Sequence, residues 1–385
     1  MRTLLKGGNV YRNHSFIVRD ILIEDSAIIE IGKEIGAEGA CLVDLDGKRV
    51  VPGFLDVHTH GGAGVDVNGA DAKGLEEICR FQASQGTTGW LASVLTDTRE
   101  QTLWCMEQYN RWKEMGHQGA QLLGIHLEGP FLASEYKGAM PEHLLQKKPN
   151  LELLKEYQQA AGGDIRYITV SPELEGMVDF IPEIRKLGMV VAIGHSGADY
   201  GTAREAIAKG AMASTHTGNA MKLLHQHAPA IWGAVLEDDE VYCEVISDGR
   251  HLHPGTVRLI LKTKGMDRVV AVTDSIMAAG LADGNYKLGV NDVVVVDGDA
   301  KLASGGGRAG STLTTGQALL NLLEFTGKPL EEVIPLLTEN PAKLMGVYGQ
   351  VGSIDEGKEA NLAVLDDKCK VCRTIVKGKT VFVDE

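Results

Sequence analysis

A (β/α)8 TIM-type barrel of the α/β class, joined to a small β-sandwich domain built from both chain ends, is the fold this sequence predicts. Three observations lead there. Eight apolar, strand-like runs alternate with helical patterns between residues 50 and 274. Five of those runs carry a histidine, glutamate or aspartate at or next to their last position. Short strand-like stretches, interrupted by Gly, Asp and Asn, occupy both termini.

Residues 1–51 read as short strands at 4–5, 15–18, 20–24 and 27–31. Residues 350–385 repeat that texture at 361–365, 370–376 and 380–383, and regular short strands with polar breaks indicate a β unit. The expected division is therefore a sandwich from 1–51 plus 348–385, with 52–347 as a barrel inserted between its halves. The barrel strands are expected at 50–58, 87–95, 121–128, 166–171, 189–195, 213–217, 241–247 and 268–274. Helical spacing of apolar residues marks 72–85, 99–115, 151–161, 200–209 and 254–264. An open doubly wound sheet is the alternative, but no G-x-G-x-x-G follows the first body strand.

Composition narrows the class of protein. At 385 residues the chain exceeds one simple core, and 44% apolar with 23% charged residues is ordinary for a globular enzyme. Forty-seven glycines, many at the ends of apolar runs, suit turns that bring backbone close to a ligand. A net charge of −14 argues against nucleic-acid binding, which shows a basic face. No stretch approaches the ~20 apolar residues of a membrane span, and the first eight residues have too short an apolar core for a signal peptide. A cytoplasmic location with no membrane partner is the default expectation. Six scattered cysteines fit a reducing compartment, and Cys369 and Cys372, expected in a strand, read as packing residues.

The run Arg49 to His58 is apolar enough for a buried strand, and the motif Asp56-Val57-His58-Thr59-His60 puts two imidazoles on one face. In a (β/α)8 barrel chemistry collects at the C-terminal strand ends. His58, His60, Glu128, His195, His216 and Asp274 fall there on strands one, three, five, six and eight, and His251 follows strand seven. Imidazoles and carboxylates suit a divalent transition metal: zinc first, with iron and manganese open. Glu128 could bridge two ions, with His195 and His216 completing one shell. An ion with positions left to water is catalytic, and it brings the pKa of a bound water to about 7. Asp274 would then serve as base and as proton donor to the leaving group. His126 is expected beside the ligands rather than among them, and His14 and His117 at the surface.

These residues carry a resemblance to the amidohydrolase superfamily, and within it to sugar-phosphate deacetylases. The matching strings are Pro52 to Gly61, His126-Leu127-Glu128-Gly129-Pro130-Phe131, Gly194-His195-Ser196, Thr215-His216 with Asn219-Ala220-Met221, Asp248-Gly249-Arg250-His251, Thr273-Asp274 and Ala309-Gly310-Ser311. Many members bridge their metals with a carboxylated lysine; these deacetylases use glutamate, and residues 166–173 hold no lysine. The resemblance implies cleavage of the N-acetyl amide of N-acetylglucosamine 6-phosphate to glucosamine 6-phosphate and acetate. It also implies one or two metal ions, with the pair His58 and His60 favouring two, and a homodimer whose phosphate pocket is completed across the interface. Another N-acetylhexosamine, with or without phosphate, or another N-acyl compound stays open as substrate.

Substrate-contacting positions carried over by the resemblance are Ala139, Met140, Asn219, Ala220, His227, Asp248, Gly249, Arg250, His251, Ala309 and Gly310. Three departures fall in this region. Gly218 stands where relatives often have a Leu-type or aromatic residue, which suggests a wider pocket. His227 stands where relatives place an arginine, and imidazole is the weaker phosphate reader. Met140 stands where a polar donor is common. Lys222 or Arg308 is expected to compensate for the missing arginine.

Overall fold

The computed structural model describes residues 2–384. Eight parallel strands form one sheet in strict chain order: Phe54–Thr59, Thr87–Leu95, Gln121–Glu128, Ile165–Val170, Val190–Ile193, Ala213–Ser214, Tyr242–Ile246 and Val269–Val272. The first and eighth meet through Asp274 N–H donating to the His58 carbonyl at 2.8 Å. Beside that seam the Asp56 carboxylate accepts from Thr273 Oγ1 at 2.6 Å. Burial pushes the Asp56 carboxyl up to about 6, against the hydrogen bonds from Thr273 and His58 that hold it down. The strands read as unbroken apolar runs because both faces are covered, one by side chains filling the barrel and the other by helices.

The five helices legible from periodicity lie at Ala72–Ser84, Arg99–Lys113, Leu151–Ala160, Tyr200–Ala208 and Pro254–Lys264. Four begin on Asp71, Thr98, Asn150 and Asp199, whose side-chain oxygens accept a main-chain N–H of the first turn.

A second sheet collects both chain ends. Arg2–Arg12 pairs with Ser15–Glu24 and, in parallel, with Cys41–Asp44 and Arg49–Pro52. Leu362–Leu365 joins the free side of Arg49–Pro52, followed by Val371–Val376 and Lys379–Val383. Its own apolar core includes Leu5, Val10, Ile21, Val50, Leu362 and Ile375. Ser15–Glu24 runs through Asp20 instead of breaking there, because that carboxylate accepts from Gly7 N at 2.8 Å and Ile35 N at 3.0 Å. Cys369 lies in a turn at φ 62° and Cys372 in the following strand, both as free thiols.

The single strand expected from Arg49 to His58 is two strands. Gly53 separates Arg49–Pro52, in the end sheet, from Phe54–Thr59, in the barrel. The crossing leaves no room for a side chain: a Cβ on Gly53 would lie 2.1–2.6 Å from the Thr88 side chain. Gly53→Ala should destabilise the fold by about 1–3 kcal/mol through overpacking. A chemical denaturation midpoint equal to that of the parent chain would contradict this packing.

Residues 284–302, outside the elements expected above, form a three-stranded antiparallel sheet: Gly284–Leu288, Asn291–Val296 and Asp299–Leu302. It packs Leu288, Val293 and Val295 against Leu95, Leu132 and Met140, beside the mouth of the barrel.

Candidate metal centre and pocket

The six ligand-type side chains converge at the C-terminal mouth of the barrel, all buried. His58 and His60 leave the first strand on one face, with their Nε2 atoms 3.2 Å apart. Glu128, ending the third strand, turns Oε1 to His195 Nε2 at 2.9 Å and to His216 Nε2 at 3.3 Å. Its Oε2 lies 3.1 Å from His60 Nε2. Asp274 Oδ1 is 3.1 Å from His60 Nε2 and 3.6 Å from His58 Nε2. Two groups result, His58/His60/Asp274 and Glu128/His195/His216, with Glu128 reaching into both.

Backbone geometry aims three of these side chains inward. His195, His216 and Asp274 adopt φ of 46°, 28° and 49° just beyond their strands. Such left-handed residues cost on the order of 1–3 kcal/mol each when they are not glycine. Gly310 supports Asp274 from below at φ 59°, where a Cβ would meet Ile276 Cγ2 at 2.5 Å and the Asp274 carbonyl at 2.9 Å.

The remaining ring nitrogens are largely fixed. His60 Nδ1 is 2.9 Å from the Ser93 carbonyl, and His195 Nδ1 is 2.8 Å from the Tyr136 carbonyl. His58 Nδ1 faces Glu244 Oε2 at 3.0 Å. Hydrogen bonding at Nδ1 leaves Nε2 as the donor atom toward the centre. His126 lies beneath His58, with its two nitrogens 2.9 Å from Ser93 Oγ and 2.9 Å from Thr169 Oγ1. Burial and the neighbouring His58 hold it well below the ordinary histidine range, so it packs as a neutral ring.

Electrostatics bind the group together. Burial disfavours charge on the histidines, but Glu128 and Asp274 outweigh it, raising His58 well above its ordinary value and His60 to about 9. Burial likewise opposes the carboxylates, yet the histidines keep Glu128 and Asp274 ionised. The donor set fits a metal. Around an ion with bonds of about 2.0–2.2 Å, tetrahedral ligand atoms lie roughly 3.3–3.6 Å apart. The nitrogen–nitrogen approaches of 3.2 Å in His58/His60 and 3.0 Å in His195/His216 are close to that spacing.

Glu244 escapes a reading based on strand ends, because it sits inside the seventh strand, fully buried. One oxygen takes His58 Nδ1 and the His216 main-chain N–H at 3.0 Å; the other accepts from the Tyr167 hydroxyl. The signal was available: a lone acid in the run Val241-Tyr242-Cys243-Glu244-Val245-Ile246 needs buried partners. Glu244→Gln should weaken metal affinity about 10–100-fold, as loss of a supporting carboxylate does. Unchanged affinity in a chelator competition would contradict this role.

Above the centre opens a cavity of about 410 Å³. Of the expected substrate positions, Ala139, Met140, Asn219, Ala220, His251 and Gly310 line it. Leu95, Leu288, Glu135, Tyr136 and Arg308 line it too. His227, Asp248, Gly249, Arg250 and Ala309 do not, each for a visible reason. His227 is exposed on the 222–229 loop. Asp248 is engaged by His251 Nδ1 at 2.7 Å and orients that ring. Gly249 is exposed, at φ 72° beside the Phe325 ring, and Arg250 turns its guanidinium to the Asp297 carbonyl. Ala309 is buried in the apolar cluster with Met140 and Leu288.

Gly218 does not widen the pocket as expected. It sits at φ 88° with Leu252 and Trp232 at 3.5–3.6 Å from where a Cβ would be. Lys222 is exposed and outside the cavity wall, whereas Arg308 is on it.

Comparison with known proteins agrees with this architecture. The amidohydrolase family pattern matches residues 49–381. An N-acetylglucosamine-6-phosphate deacetylase of Bacillus subtilis (strain 168) is 34% identical over 339 residues, covering 87% of this chain and 85% of the relative. An N-acetylgalactosamine-6-phosphate deacetylase of Escherichia coli O157:H7 is 33% identical, covering 88% and 89%. The structure of the Mycobacterium smegmatis N-acetyl-D-glucosamine-6-phosphate deacetylase, a mutant solved with N-acetyl-D-glucosamine-6-phosphate, superposes with a TM-score of 0.92 at 30% identity. That match covers 99% of this chain and all of the other. The barrel and the end sheet are thus those of known enzymes, and the chain belongs to the metal-dependent amidohydrolase family.

Proposed function

We propose that this chain hydrolyses the N-acetyl amide of N-acetylglucosamine 6-phosphate, giving glucosamine 6-phosphate and acetate. The observation that carries the reading is Glu128, shared between two histidine groups at the floor of a cavity of about 410 Å³. His58, His60, Glu128, His195 and His216 would hold two divalent ions, zinc being the chemistry the imidazole-rich set suits best. When bound, such ions supply Lewis acidity to water and to the acetyl carbonyl.

Asp274 handles the proton. Its carboxylate borders the cavity, ionised, with Oδ1 3.1 Å from His60 Nε2. It accepts a proton from the attacking water and delivers it to the departing sugar amine, the two halves of general acid–base catalysis. His251, oriented by Asp248, presents its remaining ring nitrogen to the sugar, and Asn219 offers an amide. Met140, on the cavity wall, has no donor for the acetyl oxygen, so that polarisation would fall to the ions when bound.

The reading includes a homodimer, supported by Leu223 and Leu224, 62% and 51% exposed beside His227. It includes cytoplasmic work on a small sugar phosphate without nucleic-acid or membrane partners. Supporting that part are the net charge of −14 and, among the described residues, no helix long and apolar enough to cross a membrane. N-Acetylgalactosamine 6-phosphate is the second reading, favoured by a relative at 33% identity acting on that sugar.

Acetate release from both N-acetylhexosamines, each with and without the 6-phosphate, tests the assignment. The highest kcat/KM is expected for N-acetylglucosamine 6-phosphate. Turnover confined to other N-acyl compounds would contradict it.

A further inference from the structure

Resting on the deacetylase reading and sharpening it, we infer that Arg308 is the phosphate-recognising cation of the pocket, supplied by this chain and held in position by Asp299 and Lys301. An anionic substrate entering a protein of net charge −14 needs a local positive group. The charged and ring-bearing residues on the cavity wall divide cleanly. His60, His195 and His216 belong to the metal centre, and His251 gives one nitrogen to Asp248. Glu135 has the wrong sign. Among the described residues, Arg308 is the one lysine or arginine on the wall.

The surroundings of Arg308 fix how it is presented. Its Nε donates to Asp299 Oδ1 at 2.7 Å and its Nη2 to Oδ2 at 3.1 Å. This forked pair occupies one edge of the planar guanidinium and leaves the Nη1 side for another acceptor. Lys301 Nζ also reaches Asp299 Oδ2, at 3.0 Å. Two cations thus share one carboxylate, so the trio keeps a net positive charge while Asp299 sets the orientation. Arg308 follows the glycines 305–307, and a Cβ on Gly305 or Gly307 would meet nothing within 4 Å. No side chain there blocks an anion, and Gly307 itself lines the cavity.

The functional consequence is selectivity for the phosphorylated sugar, set by this one cation. Arg308→Gln in the metal-loaded protein should raise KM for N-acetylglucosamine 6-phosphate on the order of 10- to 100-fold, as loss of a charge-assisted contact does. Its kcat should change little, and kcat/KM for unphosphorylated N-acetylglucosamine should be unaltered. Arg308→Lys, which keeps charge but not the fork, should fall between. Inorganic phosphate should bind the parent chain and lose affinity by a similar factor in Arg308→Gln. An unchanged KM for the phosphorylated sugar together with unchanged phosphate affinity would overturn the inference. A parent chain that releases acetate from neither sugar overturns the deacetylase reading instead, and the phosphate titration still decides Arg308.

Discussion

Asp274→Asn should lower acetate release by about 10²–10⁴-fold or more, the range lost with a general acid–base group. Bound metal and melting temperature should stay close to those of the parent chain. Asn keeps the shape of the side chain, and the main-chain bonds from Asp274 N to the His58 carbonyl and from Ser311 N to the Asp274 carbonyl hold it in place. The amide can neither take the proton from water nor return it to the amine. The effect belongs on kcat, because Asp274 acts on the proton and the sugar is held elsewhere on the wall. A variant within a few-fold of the parent would remove Asp274 from the chemistry.

Glu128→Ala should abolish acetate release and strip bound metal, because both histidine groups lose their shared carboxylate. The linked pH effect has a definite sign. Without an ion, Glu128 and Asp274 favour the charged form of His58, and they raise His60 to about 9. Ligation needs neutral imidazoles, so metal uptake at pH 7 should release protons and tighten as pH rises toward 9. Folding of the ion-free protein runs the other way. The stability contributed by His58 and His60 is full below the ordinary histidine value of about 6.5 and is lost as pH rises through their folded values. Calorimetry in buffers of different ionisation enthalpy reads the protons directly. Uptake with no proton release, or metal retained by Glu128→Ala, would contradict this account of the centre.

Much of this centre was legible in the sequence because a barrel turns strand ends into neighbours. His58, Glu128, His195, His216 and Asp274 each close or directly follow an apolar run, and closure brings them together whatever their separation in sequence. Residues that act from within a strand were hidden by the same logic. Glu244 and Asp56 lie inside apolar runs; Glu244 binds His58 across the barrel, and Asp56 binds Thr273 beside the closing seam. The division at Gly53 is invisible to periodicity, since both of its strands are apolar and only the contact with Thr88 marks the crossing.

Loop residues follow a different logic. Motif matching assigns Asp248, Arg250 and His227 to the substrate, and where their side chains point depends on partners distant in sequence. Asp248 is claimed by His251, and Arg250 by the Asp297 carbonyl. The small sheet at 284–302 did carry a signal, the run Val293-Val294-Val295-Val296 followed by Asp297-Gly298 and a further short strand. That sheet packs behind Met140 and carries Asp299, so the pocket's wall rests on it.

The most direct test of the central claim is an anomalous difference map from crystals of the zinc-loaded protein, recorded on both sides of the zinc edge. Two peaks sharing Glu128, one bounded by His195 and His216 and the other by His58 and His60, are the predicted result. A map with no peak at the barrel mouth, from protein that still releases acetate, would contradict it.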